Sequence, residues 1–182
     1  QIGLVSFNRS VTLEVNPTTD HAAVTRAIDR LELGEGTAII DAVKTSVRAI
    51  DALPPDRDGK RPPATVVLLS DGENTYPQGP DGTPLPTEDA VDPAKEAGIA
   101  VSTIAYGTPQ GFIMADTDGD GIEERIAVQV NREALANLAE GTGGKAYQAD
   151  SAAALTQVYE RLGDSVGYEE EQRELTWQFV AW

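Results

Sequence analysis

Cysteine is absent from the 182 residues. Disulfides, thiolate metal sites and cysteine nucleophiles are therefore excluded, while the compartment stays open. Histidine occurs once, as His21, at the start of a helix-like segment, which argues against a Ser-His catalytic pair. Aromatic residues are only 5% of the chain, so the 40% hydrophobic content must build an aliphatic core. Bases are scarce too: 14 Lys and Arg stand against 30 Asp and Glu, for a net charge of −16. Nucleic-acid binding draws on basic patches that neutralise phosphates. The short basic stretch at 57–61 reads instead as a solvated loop. An anionic membrane surface would also repel this charge. Cations, or partners with basic surfaces, are its natural counterparts. No run reaches the roughly 18 apolar residues that span a bilayer. Gln1 leads straight into an apolar, strand-like stretch, so no signal peptide is expected there.

What is present alternates between strand and helix patterns. Ile2 to Phe7 is a short apolar run, and Val11 to Val15 alternates apolar and polar, so the two are expected to pair as a hairpin. Asp20 is placed to cap a helix whose Val24, Ile28 and Leu31 share one face. A second helix is expected from Ala38, with Ile39, Val43, Val47 and Ile50 on its apolar face, ended by Pro54-Pro55. Thr65 to Leu69 reads as a central parallel strand covered on both faces. A Pro/Gly loop follows, then a short helix starting near Asp92-Pro93 and ending at Gly98. Ile99 to Ala105 is a further buried strand. Gly107 to Val128 reads as a hairpin excursion with Asp116-Thr117-Asp118-Gly119-Asp120-Gly121 at its tip. Asn131 caps a helix, Gly143-Gly144 turn the chain, Lys145 to Gln148 form a strand, and Asp150 or Ser151 caps the last helix. The fold expected is α/β: doubly wound, with a mostly parallel sheet, helices on both faces and an antiparallel edge hairpin.

Ligands of such sheets bind beyond the carboxyl ends of the strands. Two loops there can carry chemistry. Asp71, in Ser70-Asp71-Gly72-Glu73-Asn74, offers a carboxylate beside a glycine that leaves room for a ligand. Its bland alternative is ordinary Asp-Gly turn chemistry. Thr37, in Gly34-Glu35-Gly36-Thr37, offers a hydroxyl at a helix start, and alone it would be a helix cap.

Taken together, Ile2-Gly3-Leu4-Val5-Ser6-Phe7, Gly36-Thr37-Ala38-Ile39-Ile40-Asp41-Ala42 and Val66 to Asn74 resemble the von Willebrand factor A (VWA) family, the integrin inserted-domain fold. The resemblance covers nearly the whole chain. It implies a metal ion-dependent adhesion site (MIDAS) built from three loops, giving Asp-x-Ser-x-Ser, a Thr and an Asp. Thr37 and Asp71 match the last two and would be the metal ligands. Mg2+ or Mn2+ suits such oxygen donors, and a carboxylate from a protein partner would complete the shell. No catalytic residue is implied. Within the family the chain looks most like bacterial membrane-anchored proteins of the aerotolerance (Bat) type, which accompany MoxR-type ATPases. That likeness implies a membrane-anchored bacterial protein with the domain on the extracytoplasmic side.

The departure is as informative as the match. No Asp-x-Ser-x-Ser occurs in the sequence. Residues 1–167 are expected to be a VWA domain lacking its first strand and helix, so that weak or absent Mg2+ binding is expected of these residues alone. The neighbours of the missing strand would lose their ladder partners. Residues 168–182 form a charged tail turning apolar and aromatic, with Trp177 and Trp182, which reads as the approach to a membrane segment. A docked terminal strand or helix is its alternative.

Lesser motifs complete the search. Asp116, Asp118 and Asp120 spell the front half of a calcium loop, but Ala127 stands where the bidentate Glu belongs. A solvated acidic turn is preferred there to a Ca2+ site. Gly141 to Lys145 hints at a phosphate loop but has Ala139 for its first Gly and Ala146 for its Ser or Thr. Two other functions stay open beside the binding module. One is a Mg2+-dependent phosphohydrolase using Asp71 and Glu73. The other is a metal-free scaffold.

Overall fold

A computed structural model of the chain describes residues 1–55, 59–71, 74–107, 112–115, 124–127 and 131–166. β1 (Ile2–Phe7) and β2 (Val11–Thr18) form the expected antiparallel hairpin, with register shifts in the Ile2 to Val5 stretch. α1 (His21–Ile28) starts where the Asp20 carboxylate accepts the N–H of Ala23. It ends three residues short of Leu31, and Val24 is its buried apolar residue, while Ile28 and Leu31 stay exposed. The expected apolar face is thus only partly used.

α2 (Ile39–Asp51) buries Ile39, Ile40, Val43, Val47 and Ile50, the face read from the sequence. β3 (Thr65–Ser70) follows, then a 3-10 turn at Thr87–Ala90 that runs into α3 (Val91–Glu96). α3 begins one residue before Asp92-Pro93, so Pro93 still falls in the first turn. β4 (Ala100–Tyr106) leads to the antiparallel hairpin of β5 (Phe112–Ala115) and β6 (Glu124–Ala127). α4 (Arg132–Thr142) is capped by Asn131, whose side chain accepts the N–H of Ala134. β7 (Ala146–Ala149) and α5 (Ala152–Val166) end the described chain, and the Ser151 hydroxyl accepts the N–H of Ala154 at the start of α5.

β3, β4 and β7 form a parallel sheet in that order. Side chains alternate across it. Val66, Leu68, Val101 and Ala105 share the main core with α2, α3 and α4. Ile104 lies on the opposite face, in a smaller core with Val158 and Leu162 of α5. Helices therefore cover both faces, and the architecture is the α/β one read from the sequence.

The sheet is nevertheless in pieces. Among the described residues, β1 pairs only with β2, and the outer edge of β3 has no strand beside it. β3 was expected to be covered on both faces. Instead Val67 and Leu69 are 38% and 37% exposed. The reason is positional: α5 lies over Ile104 of β4, and no described helix reaches over β3 on that side.

Candidate functional site

A cavity of about 650 Å³ lies between the two sheet pieces. Leu4 and Phe7 of β1 line it, as do Val67 and Leu69 of β3, with Val43 and Ser46 of α2. Thr37 and Asp71 also line it. Both strands aim their carboxyl ends at the 34–37 loop. Just past β1, the N–H of Arg9 donates to the Glu35 carbonyl at 2.8 Å. Just past β3, the N–H of Thr75 donates to the Thr37 carbonyl, also at 2.8 Å. β1 and β3 therefore point the same way across the gap, and the two residues picked from the sequence share one end of it.

The Asp71 side emerges from a strand locked by a six-residue parallel ladder to β4. Asp71 is exposed and makes no ion pair among the described residues. Its carboxylate is thus available to a ligand. The Thr37 side is a tight turn in which Gly36 adopts φ 79°, and a Cβ on Gly36 would press against the Tyr76 ring at 3.0 Å. Glycine at that position lets the two loops meet face to face. Arg9 stacks over the same ring at 4.9 Å and pairs with Glu35 at 3.4 Å, so the rim of the loop pair carries one exposed ion pair.

Residues that the sequence reading passed over hold the loops together. The Asn74 side chain accepts the N–H groups of Ile39 and Ile40, at 2.9 and 3.5 Å. These are amides that a helix start leaves without intrahelical partners. Ala38, at the N-cap of α2, has no side-chain bond to give them. A signal for this was present: an alanine-capped helix needs an acceptor from elsewhere, and Asn74 follows the Asp71 turn directly.

The other motif residues are dispersed. His21 is exposed at the start of α1. Lys145 follows a turn rather than a phosphate loop, and its N–H donates to the Ser102 hydroxyl. Asp116, Asp118 and Asp120, Glu73, and the 168–182 tail lie outside the described residues. Among the described residues no group of three or more His, Cys, Asp or Glu could hold a metal ion. No described helix is long and apolar enough to cross a membrane.

Residues 1–73 match the family model of the von Willebrand factor type A domain, and the parallel sheet flanked by helices agrees with the fold of that family. Among curated proteins, the UPF0353 protein of Nocardia farcinica is 38% identical over 172 residues, covering 92% of this chain and 51% of that protein. The chain thus spans about half the length of the curated relatives it matches. Among solved structures, BatB from Bacteroides thetaiotaomicron has a TM-score of 0.63 at 19% identity, over 89% of this chain and 77% of that one. An aerotolerance-related membrane protein from Bacteroides fragilis has a TM-score of 0.65 at 18% identity, over 90% and 78%. The mussel byssus protein PTMP1, in a structure described as having a zinc-occupied MIDAS motif, has a TM-score of 0.55 at 19% identity, over 88% and 33%. At these identities the structures establish a shared fold.

Proposed function

We propose that the chain is the larger part of a metal ion-dependent protein-binding module. Thr37 and Asp71 share a Mg2+ or Mn2+ ion in this reading, and an acidic residue of a protein partner completes its coordination. The observation that carries it is that both residues line one cavity at the carboxyl ends of β1 and β3. One hydroxyl and one carboxylate are hard oxygen donors that fit such an ion. The ion, when bound, supplies an electrophilic centre for the partner's carboxylate. The PTMP1 structure with zinc in its MIDAS motif supports the idea that this fold accommodates a divalent ion. The net charge of −16 also favours cation uptake.

Two protein donors do not satisfy octahedral coordination. The same reading therefore has the gap between β1 and β3 filled by a strand of a longer polypeptide, bringing the Asp-x-Ser-x-Ser loop to the cavity. A strand joined to β1 by a helix would form a parallel crossover unit. That helix would cover Val67 and Leu69. Relatives about twice as long as this chain support such an arrangement. Anchoring in a bacterial membrane, with the domain outside the cytoplasm, and service beside a MoxR-type ATPase extend the proposal from the Bat-type likeness.

A phosphohydrolase draws no support from the cavity, whose lining, among the described residues, contains no Lys, Arg or His to hold a phosphate. A metal-free scaffold is the reading to beat, because the described residues alone hold no acidic triad. Titration of the full-length polypeptide with Mn2+, beside its Asp71→Ala variant, separates the two. Saturable uptake lost in the variant supports the metal reading. Identical curves for the two proteins discard it.

A further inference from the structure

Thr37 and Asp71 sit on loops 34 residues apart in sequence, and the segment of chain that follows Asp71 joins the two loops. Both backbone groups of Thr37 are taken by it. The Thr37 N–H donates to the Thr75 hydroxyl at 2.7 Å, and the Thr37 carbonyl accepts the N–H groups of Thr75 and Tyr76, at 2.8 and 3.1 Å. One residue earlier, Asn74 is 4% exposed and uses both ends of its amide. Its oxygen takes the first amides of α2, and its nitrogen donates to the Leu85 carbonyl at 2.8 Å. Asn74 follows Asp71 by three residues, and Asp71 leaves a strand fixed by its ladder to β4.

We propose that Asn74 and Thr75 are the positioning residues of the Thr37–Asp71 pair: a latch that fixes the Thr37 loop and the head of α2 in register with the end of β3. This rests on the reading of Thr37 and Asp71 as a site, and adds the residues that set their separation. The latch works through backbone groups, so it fixes where the Thr37 hydroxyl stands without occupying it. A buried amide with three partners tolerates little displacement, because any shift leaves a donor or acceptor unpaired away from water. Neither residue lines the cavity that Thr37 and Asp71 share, and neither is a metal donor in this arrangement.

The experiment has two readouts on one set of variants. Thr75→Val keeps the shape of Thr75 and removes the oxygen that accepts from Thr37, Thr75→Ser restores an oxygen, and Asn74→Ala removes the other arm. Amide hydrogen exchange is followed by NMR in the full-length polypeptide, and Mn2+ affinity is measured beside it. Thr75→Val is expected to speed exchange at Thr37 by roughly five- to tenfold, the effect of one lost hydrogen bond. Asn74→Ala is expected to do the same at Ile39 and Ile40. Exchange in β4 should not change, and Thr75→Ser should return Thr37 to parental protection. Mn2+ affinity should fall with Thr75→Val and recover with Thr75→Ser. Unchanged exchange at Thr37 in Thr75→Val overturns the latch, and so does faster exchange with undiminished Mn2+ affinity. If the parent takes up no Mn2+, the metal reading fails, and the exchange readout alone decides whether the latch exists. If Asn74→Ala does not fold, the two Thr75 variants decide.

Discussion

Leu69 and Ile104 stand opposite each other in the β3–β4 ladder, on the same face of the sheet, yet Ile104 is fully buried and Leu69 is 37% exposed. The difference is the helix above them: Val158 and Leu162 of α5 cover Ile104 and stop short of β3. In residues 1–182, Ile104→Ala should cost about 2–5 kcal/mol, the usual range for a truncated core aliphatic. Leu69→Ala should cost about 1 kcal/mol, since much of its surface is already in water. Urea denaturation of both variants measures this. In the full-length polypeptide, a strand and helix filling the gap should raise the Leu69 cost toward that of Ile104. If Leu69→Ala remains cheap there, no helix covers β3.

Metal binding should be visible as stabilisation. A ligand that binds only the folded state at a hundred times its dissociation constant adds about 2.7 kcal/mol. Mg2+ should therefore raise the Tm of the full-length polypeptide, and Asp71→Ala should remove the rise. Thr37→Ser keeps a hydroxyl and should retain most of it, whereas Thr37→Val should not. Equal Tm rises in Thr37→Val and Thr37→Ser would remove the Thr37 hydroxyl from the site.

Much of the fold was legible because its elements carry local signals. The apolar face of α2, the caps at Asp20 and Asn131, and the Gly143-Gly144 turn are each set by residues within a few positions of one another. Partial coverage was not legible. The run Thr65 to Leu69 is apolar throughout, and only the placement of α5 shows that Val67 and Leu69 are left open. Thr37 and Asp71 could be singled out by family resemblance and by their place at strand ends. The ties that hold their loops could not, because the Thr37–Thr75 bond links residues 38 apart, and the Ile39–Asn74 bond residues 35 apart. Periodicity has no reach over such distances. The uncapped start of α2 was the one local sign that such a tie was needed.

The loop that Asn74 ties down through Leu85 carries a small acid-sensitive turn. The Asp81 carboxylate accepts the Thr83 hydroxyl at 2.7 Å and the Thr83 N–H at 3.1 Å, and these bonds hold its pKa below the ordinary 3.8. A carboxylate depressed in the folded state contributes stability above its unfolded pKa and loses it as pH falls through the folded value. The turn should therefore loosen only in acid below pH 3.8. Thr83→Val removes the larger cause and keeps the backbone bond, so the Asp81 pKa should move part of the way back up. Carboxyl carbon shifts followed by NMR titration report this directly. An unmoved titration curve would mean that the hydroxyl bond does not form in solution.

Two adjacent glycines at the end of α4 should respond very differently to the same substitution. Gly143 has a left-handed backbone at φ 77°, and a Cβ there would meet nothing within 4 Å. Gly143→Ala should therefore cost about 1–2 kcal/mol, the strain of that conformation alone. Gly144 is packed flat against β4, where a Cβ would collide with the Val101 carbonyl. Neither side can retreat: the Gly144 N–H is held by Ala139 at 2.8 Å, and the next residue's carbonyl accepts the Thr103 N–H at 2.9 Å. Val101 itself is fully buried and laddered to β3. Gly144→Ala should thus cost about 3 kcal/mol or more, the upper end for an overpacked core. Urea midpoints of the two variants test the contrast. Equal costs would show that the α4–β7 turn shifts away from β4 freely, and the close approach of Gly144 to Val101 would then not be what fixes β7 against the sheet.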